Sequence, residues 1–246
     1  MLSSESSQPD KPGKNQRYTR LRLFIGAAII LALILIGIIA RPQEQTPVVV
    51  IGTVYPITPR PRYLANGVAA GNPGAKVRID VYEDFQCSAC REYTLALEPQ
   101  LMRNNISTGN VYYVFHSFLI IDQATWDSPV KESHQAANAA MCAADQNRFW
   151  DYHDMLFNNW TGENVGDFTD PRLVAYAEYL KLDMGKFNAC FKANRFKAKI
   201  DADIAAGAKL GVNGTPSIFV NGVQVTPGYM PTYNQILQAI DAAQAK

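Results

Sequence analysis

The chain has 246 residues, with 23 Lys and Arg against 22 Asp and Glu, a formal net charge of +1 and four cysteines. So even a balance lacks the basic excess that nucleic-acid binding requires. The length suffices for one well-filled core, and an even number of cysteines suits a compartment in which disulfides persist.

Residues 1–22 are rich in Ser, Gln, Lys and Arg, bury too little to offset the entropy of ordering, and read as a cytoplasmic tail. Residues 23–40 hold no charge and approach the roughly 20 residues that cross a bilayer, so they read as a single transmembrane anchor. A cleaved signal peptide is the competing reading, but its apolar core would run only roughly 7–15 residues, and Ile38-Ile39-Ala40 is a poor cleavage site. Lys11, Lys14, Arg17, Arg20 and Arg22 precede the span and only Arg41 follows closely, which keeps the N-terminus in the cytoplasm and the bulk of the chain outside.

Residues 41–70 contain Pro42, Pro47, Pro56, Pro59 and Pro61 and read as an extracytoplasmic semi-rigid linker, interrupted by Val48-Val49-Val50-Ile51 as an added edge strand. The folded domain is placed at 71–246. After the turn Gly71-Asn72-Pro73-Gly74, Val77, Ile79 and Val81 alternate with Arg78 and Asp80 as in a half-buried strand. Cys87-Ser88-Ala89-Cys90 follows where the strand pattern gives way to a helical one. That helix carries Tyr93, Leu97 and Leu101 on one face, and Pro99 inside it predicts a kink. A strand over 111–118 comes next.

Between 126 and 210 Ala, Leu, Phe and Tyr recur at helical spacing, with breaks at 158–161, at Asp170-Pro171 and at 183–185, which predicts an insertion of about five short helices. Phe149, Trp150, Tyr152, Phe157 and Trp160 are expected mostly in its core. Ser217-Ile218-Phe219-Val220 and Val223-Gln224-Val225 flank Asn221-Gly222, a hairpin signal because a type I′ turn needs positive φ at both positions. A last helix with Ile236, Leu237 and Ile240 inward closes the domain.

A helix N-terminus stabilises a thiolate, so Cys87 reads as the attacking sulfur and Cys90, one turn in, as the buried resolving sulfur of higher pKa. Zinc sites use the same spacing, but a four-sulfur site needs a second close pair, and Cys142 and Cys190 are isolated. His116, His134 and His153 show no ligand spacing, so no metal is assigned.

A strand, a CxxC opening a helix, a strand, a helical insertion, Gly214-Thr215-Pro216, a hairpin and a final helix, in that order, resemble the DsbA-like disulfide oxidoreductases of the thioredoxin superfamily over about residues 76–243. The resemblance implies an α/β thioredoxin fold with an inserted helical domain, and chemistry that needs no cofactor. It makes Pro216 the cis-proline facing the CxxC, with Thr215 offering backbone groups to an extended substrate. Two departures stand out. Ser88-Ala89 replaces the Pro-His of the strongest oxidases, and Val81 stands where many relatives bury an acid, leaving Glu83 or Asp84 as candidate proton relays or as turn residues. Some relatives carry a second bridge, and Cys142 and Cys190, on helices over 133–144 and 184–192, are read as one; two free buried cysteines are the alternative.

The expected function is extracytoplasmic oxidation of cysteine pairs in unfolded or reduced exported proteins, with the enzyme reoxidised by a quinone-linked membrane thiol oxidase of the DsbB or vitamin K epoxide reductase type. A reductase or isomerase would use the same residues. A noncatalytic thioredoxin-like module binding copper through Cys87 and Cys90 is the reading from another class.

Overall fold

In the computed structural model the described residues are 31, 52–60, 62–124 and 131–245. The expected tail, all of the expected anchor but Leu31, the edge strand at Val48-Val49-Val50-Ile51 and the start of the insertion lie outside them. Among the described residues no helix is long and apolar enough to cross a membrane. The chain divides into two units, Met1–Val48 and Val49–Lys246, and the second holds the sheet, the CxxC and the insertion.

Five strands form one mixed sheet: β1 Ala69–Gly71, β2 Val77–Glu83, β3 Val111–Ser117, β4 Ser217–Val220 and β5 Val223–Gln224, in the order β1-β3-β2-β4-β5. The central β2 runs parallel to β3 and antiparallel to β4. Strand side chains alternate between faces, so Val77, Ile79, Val81 and Glu83 point into the main core, while Tyr82 points the other way to meet Phe118, Val212 and Phe219. Asn221 and Gly222, at φ 47° and 79°, make the turn between β4 and β5.

The CxxC helix, α1, starts at Ser88–Glu92, widens into π turns at Tyr93–Leu97, regains α geometry at Glu98–Leu101 and widens again at Met102–Ile106. Pro99 therefore does not simply kink the helix: wider turns on both sides absorb the missing donor. The extra residue in each wide turn rotates the sequence relative to a 3.6 period. Tyr93 and Leu101 are buried as expected, but Leu97 is only half-buried and Glu98 is inside.

After the short α2, Ile120–Ala124, the insertion supplies α3 Glu132–Ala144, α4 Phe149–Asn158, α5 Asp170–Tyr179, α6 Met184–Lys192 and α7 Lys197–Lys209. Asp170-Pro171 is a helix start rather than only a break, with proline in the first turn where its missing N–H costs nothing. Asp183 caps α6, its side chain accepting from Lys186 N at 3.1 Å. Phe149, Trp150, Tyr152 and Phe157 are buried, whereas Trp160 is only partly so. α7 crosses the second face of the sheet at Gly207, where a Cβ would come within 2.8 Å of the Phe118 ring. The closing helix α8, Tyr233–Gln244, begins with a Thr232–Gln235 capping box and buries Ile236 and Ile240, with Leu237 half-buried.

The domain is expected to begin at residue 71, and the sheet takes in residues just ahead of it. The described part of 41–70 is not a free spacer: Ala69 and Ala70 are buried in β1 against β3, and Trp150 Nε1 donates to Ala69 O at 3.2 Å. Upstream, Tyr55 N donates to Asn159 Oδ1 at 2.7 Å, and the Arg62 side chain is buried against Glu98 and Asp154. The segment packs because it brings counter-charges to two buried acids and covers the outer edge of β3, and neither need shows in its own composition.

A disulfide joins Cys142 on α3 to Cys190 on α6, with a sequence separation of 48 and Cα atoms 5.8 Å apart. Replacing both by serine is expected to lower the unfolding free energy by about 4 kcal/mol, read from urea denaturation. A second prediction concerns His116, whose Nε2 lies 2.7 Å from Asp80 Oδ1 and Nδ1 3.3 Å from Asp203 Oδ1. Burial works against its charge, but hydrogen bonds to Asp203 and Asp80 raise its pKa above the ordinary 6.5. The stabilisation is therefore complete below pH 6.5 and fades as pH rises through the higher folded-state value. The urea midpoint of His116→Gln should lose that dependence.

Candidate active site

Glu83 ends β2, and the next three residues turn the chain into α1. Asp84 organises the turn: its Oδ1 accepts Gln86 N at 2.9 Å, its Oδ2 accepts Ile121 N at 2.9 Å, and its carbonyl accepts Cys87 N at 3.0 Å. Cys87 then occupies the N-cap of α1 in an extended conformation (φ −77°, ψ 124°). At an N-cap a serine or aspartate oxygen would accept first-turn N–H groups. Here sulfur stands in that place, where anionic charge is favoured.

Both CxxC cysteines are free thiols, Cys87 9% exposed and Cys90 fully buried. The hydrogen bond between the two sulfurs, then, against burial, Thr215 and the N–H groups of Cys90 and Ala89 lower the Cys87 pKa to about 6. Burial, the bond to Cys87 and the Glu83 charge push Cys90 well above the ordinary thiol range. The pair thus separates into one sulfur that ionises readily and one that holds its proton.

The Thr215-Pro216 peptide bond is cis, and the carbonyl of Thr215 accepts from Cys87 Sγ at 3.2 Å. Thr215 Oγ1 is buried with no hydrogen-bond partner among the described residues, so it is available to a thiolate that can no longer donate. The structure thus brings together Cys87, Cys90, Thr215 and Pro216, and leaves Cys142 and Cys190 in the insertion.

Neither candidate relay is a solvated turn residue, since Glu83 is 1% and Asp84 0% exposed. They are not equivalent. Burial raises Asp84 to about 7, but both its oxygens are engaged by backbone N–H groups. Among the described residues Glu83 Oε1 has no hydrogen-bond partner and its carboxylate accepts only a long bond of 3.4 Å from Thr94 Oγ1; the carboxyl is raised well above the ordinary range by burial and by the charges of Glu98 and Cys87. It also shares a strand face with Val81, one pleat nearer the cysteines.

Several site residues carried no sequence signal. Gln86, just before Cys87, is fully buried; its Nε2 donates to Ser133 Oγ at 2.9 Å and its Oε1 accepts Asn164 N at 2.6 Å, tying the CxxC turn to the insertion. Arg91, just after Cys90, donates through Nε to Phe157 O at 2.9 Å and lies 5.9 Å over the Trp160 ring. Glu98, His153 and Asp154 are the one group among the described residues whose ligand atoms lie within 4.8 Å of one another, as a shared cation would need. Arg62, bonded to Glu98 and Asp154, already supplies cationic charge there, and Arg60 pairs with Asp154.

A family model described as thioredoxin matches residues 64–242. A probable disulfide bond formation protein D of Bacillus cereus is 28% identical over 161 residues, covering 65% of this chain and 72% of that protein. Among solved structures, oxidised DsbA of Mycobacterium tuberculosis superposes with a TM-score of 0.55 at 26% identity, over 72% of this chain and 97% of that one. Oxidised BdbD of Bacillus subtilis, at 20% identity, shares the fold with a TM-score of 0.63 over 75% of this chain and 96% of its own. With this fold around a CxxC at a helix start, the chain belongs to the thioredoxin family, as a DsbA-like protein disulfide oxidoreductase.

Proposed function

We propose that the protein oxidises cysteine pairs in unfolded or reduced exported proteins through Cys87 and Cys90. The observation that carries this reading is the placement of the pair, Cys87 at the helix N-cap 3.2 Å from Thr215 O and Cys90 fully buried behind it, which lowers the one thiol and raises the other. A substrate thiolate attacks Cys87 Sγ of the oxidised pair; the Cys87–Cys90 bond breaks and Cys90 leaves with its electron pair. Glu83, held protonated by burial, gives Cys90 its proton. A second substrate thiol, on losing its proton, attacks the substrate sulfur of the mixed disulfide and expels Cys87 as a stable thiolate. The substrate leaves with one disulfide and the enzyme with two reduced sulfurs.

Thr215 supports this reading, because its backbone lies beside Cys87 where an extended substrate segment can pair with it. The apolar, basic-flanked segment 23–40 supports a single-pass anchor that keeps the catalytic domain outside the cytoplasm. There a quinone-linked thiol oxidase of the DsbB or vitamin K epoxide reductase type restores the disulfide, at the high effective concentration a shared membrane provides.

Iodoacetamide labelling of the reduced protein is expected to follow an ionisation near pH 6 and to vanish in Cys87→Ser, while Cys90→Ser accumulates the mixed disulfide with a dithiol peptide. The reduction potential should lie well above the about −270 mV of thioredoxin, and a value at or below it would reverse the direction assigned. Glu83→Gln should slow reduction of the enzyme disulfide by about 10²-fold in stopped-flow fluorescence while leaving the Cys87 labelling midpoint within about half a unit of its original place.

A further inference from the structure

Behind Cys90 the protein buries more charge than thiol exchange uses. The side chains of Arg62 and Glu98 are 2% and 1% exposed, and Arg62 Nη2 donates to Glu98 Oε1 at 2.8 Å and to Asp154 Oδ1 at 2.9 Å. Each partner arrives by an unusual route. Arg62 comes from the segment ahead of β1, and Glu98 is turned inward by the π widening of α1. Thr94, four residues before Glu98 on the same helix, donates to Glu83 at 3.4 Å.

Three buried atoms of this group have no hydrogen-bond partner among the described residues: Glu83 Oε1, Glu98 Oε2 and Arg62 Nε. Buried polar groups are ordinarily satisfied, and structures that leave several together concentrate at functional sites or hold water. A recess of about 170 Å³ is lined by Pro59, Arg60, Arg62, Glu98 and Pro99 among others.

We propose, taking Glu83 as the proton partner of Cys90, that the Arg62–Glu98 pair is a balancing element, two opposed charges held together beside Glu83 so that neither alone fixes its proton. The groups facing Glu83 are Cys87, Cys90, Tyr93, Tyr113, Glu98 and Arg62. The hydroxyls are buried and hold their protons, so the fixed charges among them are those of Glu98 and Arg62. Glu98 favours the protonated form of Glu83 and Arg62 the ionised form, and as a bonded pair they oppose each other at close range. Glu83 is thereby left to burial and to the changing charge of the two sulfurs, so its proton moves as the sulfurs change state.

The test is the pH titration of the Glu83 carboxyl by infrared difference spectroscopy, its band assigned by its loss in Glu83→Gln. Beside it runs the pH profile of reduction of the oxidised protein by a dithiol peptide. Glu98→Gln leaves Arg62 in excess and should move the Glu83 titration to lower pH by at least about tenfold in proton affinity; Arg62→Met should move it up by a similar factor. The double variant should return close to the original value. Singles that move it in the same direction, or not at all, overturn the proposal. If Arg62→Met does not fold, Glu98→Gln alone decides, since no downward movement sinks the idea, and Arg62→Lys should keep the titration near its original place. If Glu83→Gln leaves the reduction profile unaltered, the reading of Glu83 as proton partner falls, while the infrared titrations still judge the pair.

Discussion

The site depends on one substitution of chemistry for structure: a sulfur stands where a helix normally places a capping oxygen. The first N–H groups of a helix need an acceptor, and here those of Ala89 and Cys90 meet the sulfur of Cys87 at the N-cap. The turn held by Asp84 delivers Cys87 to that position, and the helix geometry then sends Cys90 inward by one turn. The difference between the two sulfurs therefore follows from the bond between them, from how deeply each is buried and from where the helix begins, together with Thr215 beside Cys87 and Glu83 beside Cys90. That explains why Ser88-Ala89, with no charged side chain between the cysteines, is compatible with a thiol lowered to about 6.

A second layer of charge lies under this one. Glu83, Glu98, Asp154 and Arg62 have side chains buried almost completely, an arrangement in which losing one partner costs more than the pair contributes. Hydrogen bonds from His153 and Arg62 hold the Asp154 carboxyl well below its usual range against the upward pull of burial. The two arginines that match these acids come from the chain ahead of β1, so that segment is part of the catalytic domain in energetic as well as geometric terms.

Much of the fold could be read from the chain because its signals are local. The alternation Val77, Ile79, Val81, the Asn221-Gly222 turn and the helical spacing between 126 and 210 each name an element without knowing its partner. The CxxC and Thr215-Pro216 were legible for the same reason. What escaped depends on partners far along the chain or on a shift of register. The prolines of 41–70 announce extended backbone but not that Arg62 sits 36 residues from Glu98 in a buried bond. Glu98 reads as outward on a 3.6 period and is inside only because the helix widens before it. Gln86 resembles any turn residue until Ser133 and Asn164 are seen beside it.

That glutamine has a mechanical consequence. Both ends of its amide group are bonded to the insertion, and its backbone is continuous with Cys87, so the helical lobe cannot tilt away without dragging that sulfur or breaking one of these bonds. The lobe is thus a fixed jaw rather than a flap.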